Sequence, residues 1–306
     1  MKTSTALSFF VVVLFLAGAA YSQALTKDDA PTFYRWTPGT YVNGWPRFTI
    51  HYPKDWVERR AAPQEIFDAS TPGHWSSPEF TTFVDATPSA VPTTPPRPSL
   101  DKWADASASF LKNVATDVTI TYDKPSQLRD GTPAREFGIR FFMNGATTWS
   151  MNLVTRKAGL YINMIVLAPS ERIAEDLGKA ILYSIEFWPD KDKPVKVPSD
   201  VQEFLDGTSS AYVAHDIPRL MTYYSDKYLN SGRTKREREL FYRDVFGSIT
   251  SFEIVITDFV PAGDRAYLTG FATTNFGPVP ITDTSIIKEN GEWKWYGNQT
   301  NPPTVQ

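Results

Sequence analysis

The stretch PDKDKPVKVPSD, residues 189–200, decides how this 306-residue chain is organised. Upstream of it the hydrophobic pattern is mainly that of strands, with two long helices; downstream, three helical stretches come first and a run of strands closes the chain. Prolines and alternating charges in the stretch offer little apolar surface to bury, which predicts an exposed linker. The expected fold class is therefore α+β in two domains, 28–188 and 201–301, joined by 189–200 and each folding alone. A protease is expected to cut first in this linker or in the proline-rich stretch TPSAVPTTPPRPS, residues 87–99.

Lys2 precedes the apolar run FFVVVLFLAGAA, residues 9–20, and small residues follow at Ala20, Ser22 and Ala24. This is the pattern of a secretory signal peptide, read as 1–24. The run is short for a bilayer span, so no stable membrane insertion is expected. The protein is read as exported, periplasmic or extracellular. It has no cysteine, hence neither a lipid-carrying thiol nor a disulfide framework. The chain carries 31 basic and 34 acidic residues, and loss of Lys2 with the leader makes it slightly more acidic. That balance lacks the basic surface a nucleic-acid partner requires. The 3 histidines, His51, His74 and His215, have no metal-ligand spacing, and neither metal nor cofactor is expected.

In the first module RFTIHYP, residues 47–53, alternates with the period of a strand, and further strands are expected at 65–69 and 79–86. Leu100, Trp103, Ser107, Phe110, Leu111 and Val114 recur at helical spacing, so a helix covers one face of the sheet. Strands then follow at 118–122, 134–143, 148–156 and 160–167. Asn144-Gly145 and Ala158-Gly159 supply residues for tight hairpins, giving an antiparallel meander. Ser170 caps a last helix with the apolar stripe Ile173, Leu177, Ala180, Ile181 and Tyr183. The opening FTIHYPKDW, the meander and the final helix running into SIEF resemble the PsbP/Mog-type α/β/α sandwich. Members of that fold are mostly non-catalytic.

In the second module Ser199 and Gln202 have the spacing of a capping box, ahead of a helix presenting Val201, Phe204, Leu205, Thr208 and Tyr212. Asp216 caps the next helix. Thr234 and Glu237 form a second box, opening a helix expected to bury Leu240, Phe241 and Val245. The basic residues Arg233, Lys235, Arg236, Arg238 and Arg243, interleaved with Glu237 and Glu239, read as its solvated face. From Phe252 the period switches to two, and Asn290-Gly291 marks a closing hairpin. YYSDKYLNSG, the Thr234 box and GEWKWYGNQ resemble the nuclear-transport-factor-2-like, or SnoaL-like, superfamily. That resemblance implies a conical α+β domain enclosing a pocket.

Helical and strand periodicity selects Tyr212, Tyr224, Phe271, Asp283 and Trp295 as the residues lining such a pocket. The leading functional reading is an exported, non-catalytic binding or assembly protein that holds a small apolar or aromatic ligand, or a protein partner, with homodimerisation through the C-terminal sheet as one form of assembly. The alternative is an isomerase or dehydratase of the SnoaL-like kind, with Asp283 or His215 as base and Tyr224 as donor. Asp216 reads as a cap rather than an acid, and Asp258 as solvated.

Overall fold

The computed structural model describes residues 39–59, 67–70, 83–90, 99–230 and 233–298, with side chains other than those of 57–59, 67–70, 83–90, 244–246 and 283. The export leader read at 1–24 and His74 lie outside the described residues. In the N-terminal part the elements are β1 (Thr40–Asn43), β2 (Phe48–His51), β3 (Val57–Arg59), β4 (Phe67–Ser70), β5 (Phe83–Ala90), α1 (Trp103–Leu111), β6 (Thr116–Gln127), β7 (Pro133–Met143), β8 (Ala146–Lys157), β9 (Leu160–Ala168), α2 (Glu171–Leu182) and β10 (Glu186–Phe187). Strands β3 to β9 form a seven-stranded antiparallel sheet in the order β3-β4-β5-β9-β8-β7-β6, and β1, β2 and β10 form a separate small sheet.

The hairpins close where the sequence indicates. Asn144 and Gly145 have φ of 54° and 83°, and Ala158 and Gly159 have 50° and 80°, the paired left-handed positions of a two-residue turn that matches strand twist. Successive side chains point to opposite faces of a strand. Leu153 therefore joins Phe48, Ile50 and Ile181 in one core, while its neighbour Val154 joins Ala104, Ala108 and Leu111 in another. The large sheet is thus covered by α1 on one face and by α2 with the small sheet on the other.

Two expectations fail here. The strand expected to end at residue 86 runs to Ala90, with Pro88 opposite Ile162, so part of the proline-rich stretch belongs to the sheet. Proline forgoes only its own donor in the ladder; its carbonyl is still able to accept. In α2, capped by Ser170 as expected, Ile173 is 41% exposed and the buried face is Ala174, Gly178, Ile181 and Leu182. Close packing decides this rotation: a Cβ on Gly178 would stand 2.4 Å from the Met151 sulfur, so the small-residue face is the one that can lie on the sheet.

The C-terminal part contains α3 (Ser199–Val213), α4 (Ile217–Thr222), β11 (Tyr224–Asn230), β12 (Arg233–Thr234), α5 (Lys235–Val245), β13 (Phe252–Ala262), β14 (Arg265–Thr274), β15 (Gly277–Glu289) and β16 (Glu292–Gly297). Its six-stranded sheet has the order β12-β11-β16-β15-β14-β13, antiparallel except where β11 runs parallel to β16. Phe204, Leu205 and Tyr212 of α3, Leu220 and Met221 of α4, and Ile254, Ile256, Leu268, Ile286 and Trp295 of the sheet make its core. Two bulges bend the sheet, one at Thr257 and one at Thr282–Asp283, both beside Gly270. A Cβ on Gly270 would meet the Val255 carbonyl oxygen at 2.0 Å, which leaves no space for any other residue at the bend.

The Thr234–Glu237 box forms reciprocally: Thr234 N–H donates to Glu237 Oε2 at 2.7 Å and Glu237 N–H to Thr234 Oγ1 at 3.4 Å. The Ser199–Gln202 box does not. The helix begins at Ser199 itself, and the Gln202 amide turns along the helix to Asp206 at 2.8 Å.

Residues 189–200 are not a free tether. Asp192 Oδ1 accepts from Arg47 N–H at 2.8 Å, Val195 N–H donates to Ile256 O at 2.9 Å, and Val197 is buried in the C-terminal core. Val197 carries the apolar burial that the prolines and charges lack, while Val195, 42% exposed, contributes its backbone hydrogen bond. Further contact comes from Trp45, whose ring stacks on Phe271 at 4.3 Å. Among the described residues no helix is long and apolar enough to cross a membrane.

Candidate functional site

The phase of α5 creates the most unusual arrangement in the molecule. Leu240 and Phe241, expected inside, are 53% and 42% exposed, while Tyr242 is buried. Arg238 lies four residues before Tyr242 and so on the same helix face. The Thr234–Glu237 box sets the start of the helix, and Lys235 Nζ fastens it to β11 by donating to Tyr224 O at 2.8 Å and Asp226 Oδ1 at 2.7 Å. With that anchor the inward side of α5 is Arg238 and Tyr242, which corrects the reading of Arg238 as part of a solvated face.

Around Arg238 stand four tyrosines from three elements. Tyr224 and Tyr242 share a hydrogen bond between hydroxyls at 2.6 Å. Tyr224 and Tyr228 of β11 meet edge-to-face at 4.9 Å, Tyr212 of α3 meets Tyr242 edge-to-face at 5.1 Å, and Tyr212 stacks on Phe252 at 4.0 Å. The guanidinium carbon lies 5.5 Å from the Tyr242 ring centre and 5.7 Å from that of Phe241. Arg238 Nε is sealed from solvent and has no hydrogen-bond partner.

No described carboxylate neutralises that cation. Three acids with described side chains are otherwise engaged: Asp226 with Lys235, Glu237 with the cap, and Glu239 with Arg243 at 2.6 Å; the side chain of Asp244 lies outside the described residues. The ionisable groups that press on Arg238 are Tyr242, Tyr228, Tyr224 and Tyr212. Burial pushes all four hydroxyls upward, and the guanidinium pulls Tyr228 partly back. They are thus protonated donors at neutral pH, beside a cation that cannot deprotonate. Such a cluster can grip electron-rich groups; it offers no base.

The residues selected from the sequence divide. Tyr212 and Tyr224 are brought together in the cluster. Trp295 lies in the same core, 5.1 Å from Phe204 and with its Nε1 buried and without a partner. Phe271 is on the other face of β14, against Trp45; the residues of β14 that face the core are Ala266, Leu268 and Ala272. Alternation along β14 is unbroken, with the bulges lying in β13 and β15; what failed was the choice of face, since the even-numbered positions and not Tyr267, Thr269 and Phe271 meet the core. Asp283 sits at the bulge of β15, and its side chain lies outside the described residues. His215 is exposed at the α3–α4 junction, with φ of 55° and its Nε2 2.6 Å from Ile249 O, so it is not brought to buried Tyr224. Asp216 caps α4, accepting from Arg219 N–H at 3.0 Å, and Asp258 is half-buried rather than solvated. Arg238, Tyr228 and Tyr242 were missed. The signal available was the i, i+4 pairing of Arg238 with Tyr242.

A second polar cluster lies in the N-terminal part. Glu136 of β7 is 4% exposed; it accepts from Tyr183 Oη at 2.5 Å and pairs with Lys124 Nζ at 3.1 Å, and Tyr183 also bonds Ser126. Burial and Glu136 push Tyr183 up to about 12 and raise Tyr122 further still. An open groove of about 460 Å³ runs between α1 and β6, lined by Asp105, Ala108, Ser109, Lys112, Val118 and Ile120. Among the described residues no group of three or more His, Cys, Asp or Glu could hold a metal ion.

No protein-family model matches the chain, and no curated protein sequence matches it significantly. Among solved structures, the cyanobacterial PsbP (CyanoP) of Synechocystis sp. PCC 6803 is 11% identical, with a TM-score of 0.40, over 55% of this chain and 99% of that one. The Ran-binding protein Mog1p of Saccharomyces cerevisiae is 8% identical, with a TM-score of 0.33, over 46% of this chain and 89% of that one. A protein from Bacteroides thetaiotaomicron is 10% identical, with a TM-score of 0.34, over 85% and 89%. The first two are of the PsbP/Mog kind read from residues 28–188. The similarity is weak, concerns part of the fold, and does not extend to role.

Proposed function

We propose that this is an exported, non-catalytic binding or assembly protein in which a PsbP/Mog-type module carries a nuclear-transport-factor-2-like module, and that the second module holds its ligand at the Arg238 end of its core. The supporting observation is a sealed, unpaired guanidinium N–H among four protonated tyrosines. A buried polar group without a partner costs roughly 1–3 kcal/mol, and a ligand that supplies the missing acceptor removes that penalty. Rings fill much of the module's interior, so a ligand would reach the guanidinium from the helix edge rather than enter a wide cone.

The test is thermal unfolding of the mature chain against a panel of small aromatic and apolar compounds. A ligand at about a hundred times its dissociation constant stabilises the folded state by roughly 2.7 kcal/mol, on the order of 5 °C in Tm. The proposal requires that such shifts disappear in Tyr224→Phe or Tyr242→Phe. Turnover of any compound in the panel that is lost in Asp283→Asn would instead establish the isomerase or dehydratase reading.

A further inference from the structure

Resting on that reading of the Arg238 site, we infer that the group it takes is a single carboxylate carried on an aromatic body. Charge counting selects a monoanion. Arg238 is the one permanent positive charge set among the rings, the solvent-exposed Arg233 acting on Tyr228 from outside, and the hydroxyls of Tyr224, Tyr228 and Tyr242 are neutral donors. One carboxylate brings the buried charge to zero, whereas a phosphate dianion would leave a net negative charge in a place walled by rings, which is strongly unfavourable. Geometry agrees, since a planar guanidinium pairs a carboxylate through two parallel N–H donors, and the Nε–H of such a fork is the one left without a partner here.

The aromatic body follows from what covers the guanidinium. Phe241 lies over it at 5.7 Å while 42% exposed, so it is the neighbour most free to turn outward and admit a ligand. A ring entering at this point replaces Phe241 over the cation and meets the edge of Tyr242, keeping the cation–π contact that the displaced side chain gives up. An aliphatic carboxylate would satisfy the fork and lose that contact.

Benzoate and its neutral isostere benzamide are the probes, titrated into the mature chain by calorimetry and by proton NMR of the tyrosine rings. Benzoate is expected to bind at least tenfold more tightly than benzamide. Arg238→Gln should abolish the difference, and Arg238→Lys, which keeps the charge without the fork, should retain only part of it. Phe241→Ala should accelerate association of benzoate. Sulfate, a dianion at neutral pH, is the competing anion and should bind more weakly than benzoate. Equal binding of benzoate and benzamide would overturn the carboxylate while leaving the binding site standing. Tighter binding of sulfate would overturn the charge count. Failure of both aromatic probes to move the Tyr212, Tyr224 or Tyr242 resonances of a folded protein would remove the site itself, and thermal unfolding of each variant establishes that it is folded.

Discussion

The Glu136 and Arg238 clusters are near mirror images with opposite outcomes. Each sets an ionic group among tyrosines between a helix and strands. Glu136 has a cation, Lys124, and the Tyr183 hydroxyl, so its lone pairs are answered from within the chain. Arg238 has rings and hydroxyls but no described counter-ion, and its Nε–H stays unanswered. A network whose ion is answered from within the chain works as a joint, here fastening α2 to β6 and β7, although the neighbouring Tyr122 hydroxyl is buried without a partner. One that remains open retains a capacity to bind, and costs stability until it does.

The sharpest way to break this comparison is to remove each ion in turn. Glu136→Leu leaves Tyr183 and Lys124 without their acceptor and should lower unfolding free energy by about 3 kcal/mol in urea titration. A loss below about 1 kcal/mol would mean that the joint is not a joint. Arg238→Met removes an unneutralised charge while keeping a long side chain against Tyr242. It should leave stability unchanged or raise it by about 1 kcal/mol. A loss above about 2 kcal/mol would make Arg238 a structural keystone, and the asymmetry between the clusters would vanish.

Tyr224→Phe tests the hydroxyl pair within the open cluster and should cost about 1 kcal/mol, the net worth of one buried hydrogen bond. The smallest effect is expected at high pH. The folded Tyr183 hydroxyl is raised from 10.0 to about 12, so its contribution to stability is complete below pH 10 and is lost as pH rises through about 12. Tyr183→Phe should therefore flatten the stability profile between pH 10 and 12. An unchanged slope would show that Tyr183 does not titrate with folding.

How much of this was legible in the sequence depended on whether the signal was local. The Asn144-Gly145 and Ala158-Gly159 hairpins, the Ser170 and Asp216 caps and the Thr234–Glu237 box formed as read, because each is decided by backbone conformation and one or two neighbouring side chains. Helix phase was not local. In α2 and in α5 the larger apolar residues, Ile173, Leu240 and Phe241, were assigned to the core and are exposed. In α2 the close approach of Met151 to Gly178 selects the small-residue face, and in α5 the Lys235 anchor to β11 turns Arg238 and Tyr242 inward.

Strand face failed for a related reason. Phe271 was assigned by alternation, which does hold along β14, but alternation gives two faces without saying which is inward, and the small residues Ala266, Gly270 and Ala272 with Leu268 take the side that meets the core. Sequence alone determined the order of elements, the turns and caps, the change of period after residue 250, and Tyr212 and Tyr224 as inward aromatics. Tertiary structure alone decided that residues 189–200 are stitched to both sides, that Phe271 meets Trp45, and that Arg238 sits among tyrosines with no counter-ion among the described side chains. The physical reason is that caps and turns minimise the energy of a few adjacent dihedrals, whereas the face a helix or strand presents is chosen by close packing and charge neutralisation among residues far apart in the chain.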